Sequence, residues 1–443
     1  MSEVLGASAS TAGDDFHELW ALRKVLKLLD PGTLVRGVVV EGVPDDERTA
    51  ELGAGAQAVD VTEILDDAGA EVLRYEQLKY STANPNQPWT WARLTAEARA
   101  GRTLSSVFGK LAQAFAKTGG PRTVRIVTNQ PLQASVADDI AAWPAALRAG
   151  RPITHPDIAR VRTACGLDDT ALAGFLEAFD VSGFGAETRL QLDTEILAQL
   201  GALTDADARN DLEVLQSRVA AFILPENRGR APIDRATLLT WLGAGLETTL
   251  FPAPSALTPA DPYIRREATG DIVSAIVGTT DRIVRLHAEG GCGKTSLVCG
   301  LAAELPAGSE CLIYDCYGGG LFLASDGRRH HPGQAFVQVC NELAGRIASP
   351  FVLRRANSLE LAAAFKRRLV AAADLLRARN PEALLVVVFD AVDNARIAAD
   401  RWQEPCFLDE LAALSAWPET VRLVVTARTA RLPRLGSADR YHD

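Results

Sequence analysis

Apolar residues recur at helical spacing through Phe16, Leu19, Trp20, Leu22, Val25, Leu26, Leu28 and Leu29, which predicts a helix capped by Asp14 or Asp15 and ending before Pro31-Gly32. Three strand-like runs follow at 34–41, 58–65 and 71–80, rich in Val, Ile, Leu or Tyr and separated by acidic or Gly/Ala-rich turns. The spacing becomes helical over about 89–117, with Gly101 as a break. After Gly119-Gly120-Pro121, the run TVRIVT at 123–128 reads as a fourth strand. The predicted order of this stretch is α-β-β-β-α-β. Helical spacing then returns over 157–164, 169–178, 188–203, 208–222 and 235–246, and the Pro-rich run FPAPSALTPADP at 251–262 reads as a linker. Beyond it, 283–288, 310–314, 384–389 and 422–426 are short apolar runs between helical patterns, the signature of a parallel sheet covered on both faces. The expected organisation is a multidomain α/β protein with units at 1–133, 134–262 (helical connector and linker) and 263–443. No internal repeat at a period of 20–50 residues is visible.

Composition narrows this picture. At roughly 100–200 residues per domain, 443 residues make about two to four domains. With 47% hydrophobic and 23% charged residues the chain is expected to fold. A net charge of -10 is the wrong sign for a protein that coats nucleic acid, so any DNA contact must be local. Residues 1–150 carry 15 Lys and Arg against 19 Asp and Glu, so a lone copy should hold DNA weakly and with strong salt dependence. The seven cysteines include no CxxC pair, and none precedes Cys165, which argues against a disulfide framework or zinc ribbon and for reduced thiols in a cytoplasmic setting. The first fifteen residues lack the basic and apolar regions of a secretory signal, and the longest apolar run, around 383–389, is far short of the ~20 residues of a membrane span.

The most specific motif lies at 283–297, IVRLHAEGGCGKTSL. Gly290, Gly291 and Gly293 allow a tight turn whose N–H groups, with that of Cys292, converge on an anion. Lys294 supplies a point charge to the outer phosphates, Thr295 can ligate Mg²⁺, and Ser296 opens a helix. Ala288 stands where the pattern GxxxxGK(S/T) has its first glycine. A carboxylate for the same Mg²⁺ is expected from Asp390, which ends LLVVVFD; Ala391 follows where an acid would activate water, leaving Asp393 as the nearest substitute and slow ATP hydrolysis as the expectation. The run VRLVVTAR at 421–428 is a third strand end, with Thr426 and Arg428 placed to sense a terminal phosphate. Together these pieces resemble the STAND class of AAA-related signalling ATPases over about 271–435, with Ala427 in place of a usual Ser. YDCYGGG at 314–320 looks like a loop of the antiviral Avs subgroup, although by composition it is a glycine-rich turn after a strand. The resemblance implies a helical lid, winged-helix unit and repeat-built sensor further on, so the sensing half is expected to be absent from this chain.

In the N-terminal stretch Asp60 falls in the second predicted strand, and Gln77 and Lys79 fall in the third. Residues i and i+2 of a strand share a face, so Gln77 and Lys79 point together and Asp60 can meet them from the paired strand. Such a trio suits metal-assisted phosphodiester hydrolysis: Asp60 and the Gln77 oxygen hold Mg²⁺, and Lys79 orients or polarises the attacking water. With the α-β-β-β-α-β order, D…QxK resembles the PD-(D/E)xK nuclease core in its QxK variant. More narrowly, GDDFHELW, VVVEG, VDVTE and YEQLKYSTANPNQPWTWARL resemble the double-stranded DNA endonuclease effector of antiviral Avs-type STAND ATPases, over about 13–130. In that family the first helix carries an acidic residue or Gln where His17 stands, beside Glu18. Glu41 reads as a surface strand end, with metal ligation as the alternative. Glu76 points away from the Gln77/Lys79 face, and Trp89 and Trp91 are expected to pack the following helix.

The resemblance implies an antiphage effector: a Mg²⁺-dependent endonuclease on double-stranded DNA, governed by ATP-driven homo-oligomerisation, with a tetramer among the sizes implied, and triggered by a viral protein. Assembly would raise effective concentration enough to offset the acidic balance. The alternative is a signalling ATPase whose N-terminal module binds DNA or protein without cutting.

Overall fold

A computed structural model describes residues 2–30, 32–44, 59–100, 103–118, 122–203, 208–224, 231–244, 247–258, 263–279, 283–325, 327–347, 351–353, 358–414 and 417–435. The chain is a mixed α/β protein that divides into two compact units, one of Met1–Leu29, Thr33–Ala198 and Arg209–Gly243, the other of Asp30–Gly32, Gln199–Ala208 and Ala244–Asp443.

In the first unit, helix α1 (Ser2–Leu26) precedes β1 (Val35–Val40), β2 (Val61–Asp67) and β3 (Ala70–Lys79). A short helix (Trp91–Leu94), a ribbon of β4 (Ala98–Ala100) and β5 (Thr103–Ser105), a helix at Val107–Lys117 and β6 (Arg122–Thr128) follow. The sheet order is β1-β2-β3-β6; β1, β2 and β3 are antiparallel neighbours and β6 runs parallel to β3. Helix α1 begins well before Asp14, which is exposed, so the expected Asp14 or Asp15 cap is corrected. The Ala- and Ser-rich leader holds no proline, and nothing in it stops a helix from starting earlier. The helical region expected over 89–117 with a break at Gly101 is two helices on either side of the β4–β5 ribbon, and Gly101 itself lies outside the described residues. Thr90 Oγ1 caps the first by accepting from Arg93 N at 3.3 Å, and Ser106 Oγ caps the second by accepting from Gly109 N at 2.9 Å.

The unit's core gathers Tyr75, Trp91, Phe108, Trp143, Phe175 and Phe179. Trp91 stacks on Trp143 at 5.0 Å, so its packing reaches the helix Ala134–Arg148. The helices from 134 to 178 thus share one core with the sheet, and the expected boundary at 133 is not a boundary of packing. Gly109 serves a close approach: a Cβ there would run into the Ala164 carbonyl oxygen of the helix Ile158–Cys165.

A group of buried charges lies where α1 meets the sheet. Lys24 Nζ contacts Glu63 at 3.0 Å and Glu76 at 2.7 Å, and all three are at most 1% exposed. Burial disfavours ionisation of Glu63, but the charges of Lys24 and Lys27, with Arg74 beyond, overcome it and bring its pKa to about 2, from 4.5. A carboxyl held low in the folded state binds its proton later than in the unfolded chain. Its stabilising contribution is therefore full above about pH 4.5 and is lost as pH falls toward 2. A Glu63→Gln variant is expected to flatten the fall of urea midpoint through that window; an unchanged slope would contradict the pairing.

The second unit holds four parallel strands in the order β7-β10-β9-β8: β7 (Ile283–Ala288), β8 (Glu310–Asp315), β9 (Leu385–Asp390) and β10 (Val421–Arg428). Every residue of β9 is buried, and its side chains alternate between two layers. Leu385, Val387 and Phe389 pack with Phe336, Phe365 and Phe407, while Val386 and Val388 pack with Ile276, Val298 and Leu301. The unbroken Val run is thus a strand with helices on both faces. Part of the Pro-rich run is fastened here: Ala253 N donates to Gln338 Oε1 at 2.8 Å and Ala256 N to Asp315 Oδ2 at 3.1 Å. Residues 259–262 of that run lie outside the described residues. Among the described residues no helix is long and apolar enough to cross a membrane.

Candidate functional site

In the first unit Asp60 lies immediately before β2 rather than inside it, buried, with its backbone stitched to both neighbouring strands. Its N donates to Glu76 O at 2.9 Å, and its carbonyl accepts from Glu41 N at 2.7 Å. The Asp60 carboxylate oxygen Oδ2 accepts from Leu78 N at 2.7 Å and from the Gln77 amide Nε2. This amide orientation turns Gln77 Oε1 away from Asp60. Burial holds the Asp60 carboxyl above the usual carboxylate range, against the charges of His17 and Lys79 and the two hydrogen bonds. Burial likewise pushes the His17 imidazole down, opposed by Asp60 and reinforced by Lys79. Lys79, half-buried at the end of β3, shares the field of this pair.

The structure thus brings Asp60 and Gln77 into contact and puts Lys79 and His17 in electrostatic reach of Asp60. Glu18 is engaged elsewhere, accepting from Gln216 Nε2 at 2.7 Å. Glu41 takes a positive φ of 60° just past β1, which fits a turn residue. Glu76 is fully buried against α1. Trp89 lies beneath the Arg93 guanidinium, 4.3 Å from its centroid.

With the Gln77 amide turned over, so that Oε1 rather than Nε2 faces Asp60, these two side chains would form a partial shell for a metal ion. One carboxylate and one amide oxygen are hard ligands, and Mg²⁺ commonly takes one or two protein oxygens and keeps several waters. Among the described residues, no group of three or more His, Cys, Asp or Glu side chains is placed to hold a metal. The site therefore relies on Gln77.

In the second unit the loop after β7 turns through Gly291 and Gly293 at φ of 78° and 80°, a region L side chains rarely adopt. A Cβ at Gly290 would meet nothing in the protein, so the loop's outer side is open to a ligand's approach. Lys294 Nζ spans the loop, donating to Ala288 O at 2.8 Å and Glu289 O at 2.9 Å. Thr295 Oγ1 donates to Asp390 Oδ2 at 2.9 Å, and Thr426 Oγ1 donates to the other carboxylate oxygen. Burial raises the Asp390 carboxyl above its ordinary range, against the two threonine hydrogen bonds and in concert with Asp315. The helix after the β7 loop and strands β9 and β10 thus bring Thr295, Asp390 and Thr426 to one point at the C-terminal ends of the strands, where open parallel sheets bind ligands.

Cys292 is exposed on the loop, and Ser296 stands in the first turn of the helix Lys294–Gly300. Arg428 is exposed at the end of β10, in register with Ala288 just before the loop. Asp393 is buried and accepts from Arg431 Nη1 at 3.0 Å, so its carboxylate is engaged with a cation. Two contributors have no sequence expectation. Arg266 Nη1 donates to Cys292 O at 2.7 Å and clamps the loop, and no local signal marks it. Asp315 is the other: its Oδ1 accepts from Tyr317 N and Gly318 N, each at 2.9 Å, which closes the glycine-rich turn. An Asp ending a strand before Gly-Gly-Gly is the signal that would have found it.

No family model and no curated protein matches the chain. Among solved structures, a Walker-type ATPase of Pyrococcus abyssi is similar over 40% of this chain and 49% of that chain, at 15% sequence identity and a TM-score of 0.27. The match spans about half the length of that ATPase. A likeness this weak adds nothing to the geometry of the loop.

Proposed function

We propose that this chain is a metal-dependent endonuclease of double-stranded DNA joined to an ATP-binding switch, acting as an antiphage effector of the Avs-type STAND class. The observation that carries the nuclease half is the contact of Gln77 with Asp60 at the end of β3, with Lys79 two residues on and the Asp60 carboxylate further tied to Leu78 N. Asp60 and Gln77 Oε1 would hold Mg²⁺. The ion, when bound, supplies Lewis-acid stabilisation of charge on the scissile phosphate. Lys79 offers a cation to the attacking water and to the phosphate from the same face of β3.

The switch half rests on the Thr295–Asp390–Thr426 arrangement beneath the glycine loop. Gly290, Gly291, Cys292, Gly293 and Ser296 line the phosphate path with their backbone, Lys294 meets the outer phosphates, and Thr295 with Asp390 holds Mg²⁺. Ala391 stands where a water-activating acid is expected, Asp393 is paired with Arg431, and Asp315 accepts from three backbone N–H groups. Slow hydrolysis follows, in keeping with a switch that assembles copies rather than a turnover enzyme. The trigger on this reading is a viral protein, and the product of assembly is a homo-oligomer with paired nuclease sites.

Incubating supercoiled and linear DNA with the protein, ATP and Mg²⁺ or Mn²⁺ is expected to yield nicked and fragmented products that disappear with a chelator. One observation favours a second reading, a DNA- or protein-binding module without cutting: the carboxylate-poor metal site around Asp60. Retarded but intact DNA with both metals would select it.

A further inference from the structure

We infer that Glu76, on the side of β3 facing away from Gln77 and Lys79, is a positioning residue for the Asp60/Gln77 metal site, an inference that rests on the metal-dependent reading above. Its carboxylate is clamped by three side chains from two elements of the first unit. Trp20 Nε1 donates to Oε2 at 2.6 Å and Lys24 Nζ to Oε1 at 2.7 Å, both from α1. Arg125, directly opposite Glu76 in the β3–β6 register, donates Nε to Oε1 at 2.7 Å and Nη2 to the same oxygen.

The backbone of this one residue is also a support of Asp60. Glu76 O accepts from Asp60 N, while the next two residues, Gln77 and Leu78, deliver the two donors that hold the Asp60 carboxylate. Asp60 immediately precedes β2, and although its carbonyl also accepts from Glu41 N, its carboxylate and its N–H are both held by β3 at residues 76–78. Clamping Glu76 from α1 and β6 fixes that segment from behind.

The cost of the arrangement supports a specific use. A fully buried Glu, a fully buried Lys and an Arg brought together are expensive to desolvate, and well-packed apolar residues of similar volume are often equally or more stabilising. What such a cluster supplies that apolar packing does not is direction: Trp20, Lys24 and Arg125 converge on one carboxylate and admit one placement of β3. Groups bonded directly to metal ligands are typically worth about 10–100-fold in metal affinity; the Glu76 carboxylate acts one step further back, through the β3 backbone, so a factor below that range follows.

The test is Mn²⁺ binding to the full chain, followed by the electron paramagnetic resonance signal of free Mn²⁺, with the Asp60→Asn variant defining the Asp60-dependent sites. Glu76→Gln is expected to weaken Asp60-dependent binding several-fold, up to about 10-fold, and Trp20→Phe, which deletes one donor, by a smaller factor. Both should keep the wild-type circular dichroism spectrum. Wild-type Mn²⁺ affinity in folded Glu76→Gln, with only a lower unfolding midpoint, overturns the inference and leaves the metal site standing. If Glu76→Gln does not fold, Trp20→Phe decides alone, and unchanged affinity overturns the inference. Identical Mn²⁺ binding by wild-type and Asp60→Asn protein removes the metal site itself, and the inference with it.

Discussion

Replacing Lys294 with alanine is expected to abolish ATP binding, with affinity lower by roughly 10²–10⁴-fold. The estimate follows from the two charge-assisted contacts a lysine makes in such a loop, at about 1.5–3 kcal/mol each. Lys294 Nζ already lies across the loop, held by the carbonyls of Ala288 and Glu289, so its charge sits over the turn that Gly291 and Gly293 create. Alanine removes both the cation and that bridge. Isothermal titration with ATP and Mg²⁺ measures the loss directly. Asp60-dependent Mn²⁺ binding is the control, because Asp60 belongs to the other compact unit. ATP affinity within a few-fold of wild type in Lys294→Ala would rule the loop out as the nucleotide site.

The two candidate sites differ in how far their residues announce them. The glycine loop is a contiguous signal: an apolar strand, glycines that need positive φ, a lysine and a threonine lie within a few residues, and β7 and the helix at Lys294 bracket it as the spacing predicts. Asp390 is nearly as plain, since LVVVFD is apolar without alternation and its last residue is a carboxylate. The residues that complete the site come from a distance. Thr426 reaches Asp390 from β10, the neighbouring strand of the sheet, and Arg266 reaches Cys292 from ahead of the preceding helix, so neither pairing follows from periodicity.

Around Asp60 the sequence pattern yields the faces of β3, because alternation alone separates Glu76 from Gln77 and Lys79. It does not yield the partners of Glu76. Trp20 and Lys24 sit on α1 among apolar residues at helical spacing, where the pattern predicts a core stripe rather than two donors aimed at one carboxylate. The start of α1 and the β4–β5 ribbon escape the pattern for a related reason. Helix starts and short ribbons depend on a few local hydrogen bonds, and an Ala-rich leader or a single glycine weighs little against them.

Lys79→Ala is expected to lower DNA cleavage by about 10³-fold, within the 10²–10⁴ range for removing a group that assists proton transfer, while ATP affinity stays within about two-fold of wild type, since the loop contacts of Lys294 do not involve it. The side chain ends β3 on the face shared with Gln77, and its charge acts on both Asp60 and His17. The loss should appear in the cleavage rate at saturating metal. Asp60-dependent Mn²⁺ binding should persist or tighten slightly, because removing a cation beside Asp60 relieves repulsion of a divalent ion. This split separates Lys79 from the metal-holding pair: Asp60→Asn should lose binding and cleavage together, Lys79→Ala cleavage alone. Lys79→Arg keeps the charge on a broader, planar head and should recover only part of the rate. Cleavage by Lys79→Ala at the wild-type rate would remove β3 from the chemistry and leave the unit as a binding module.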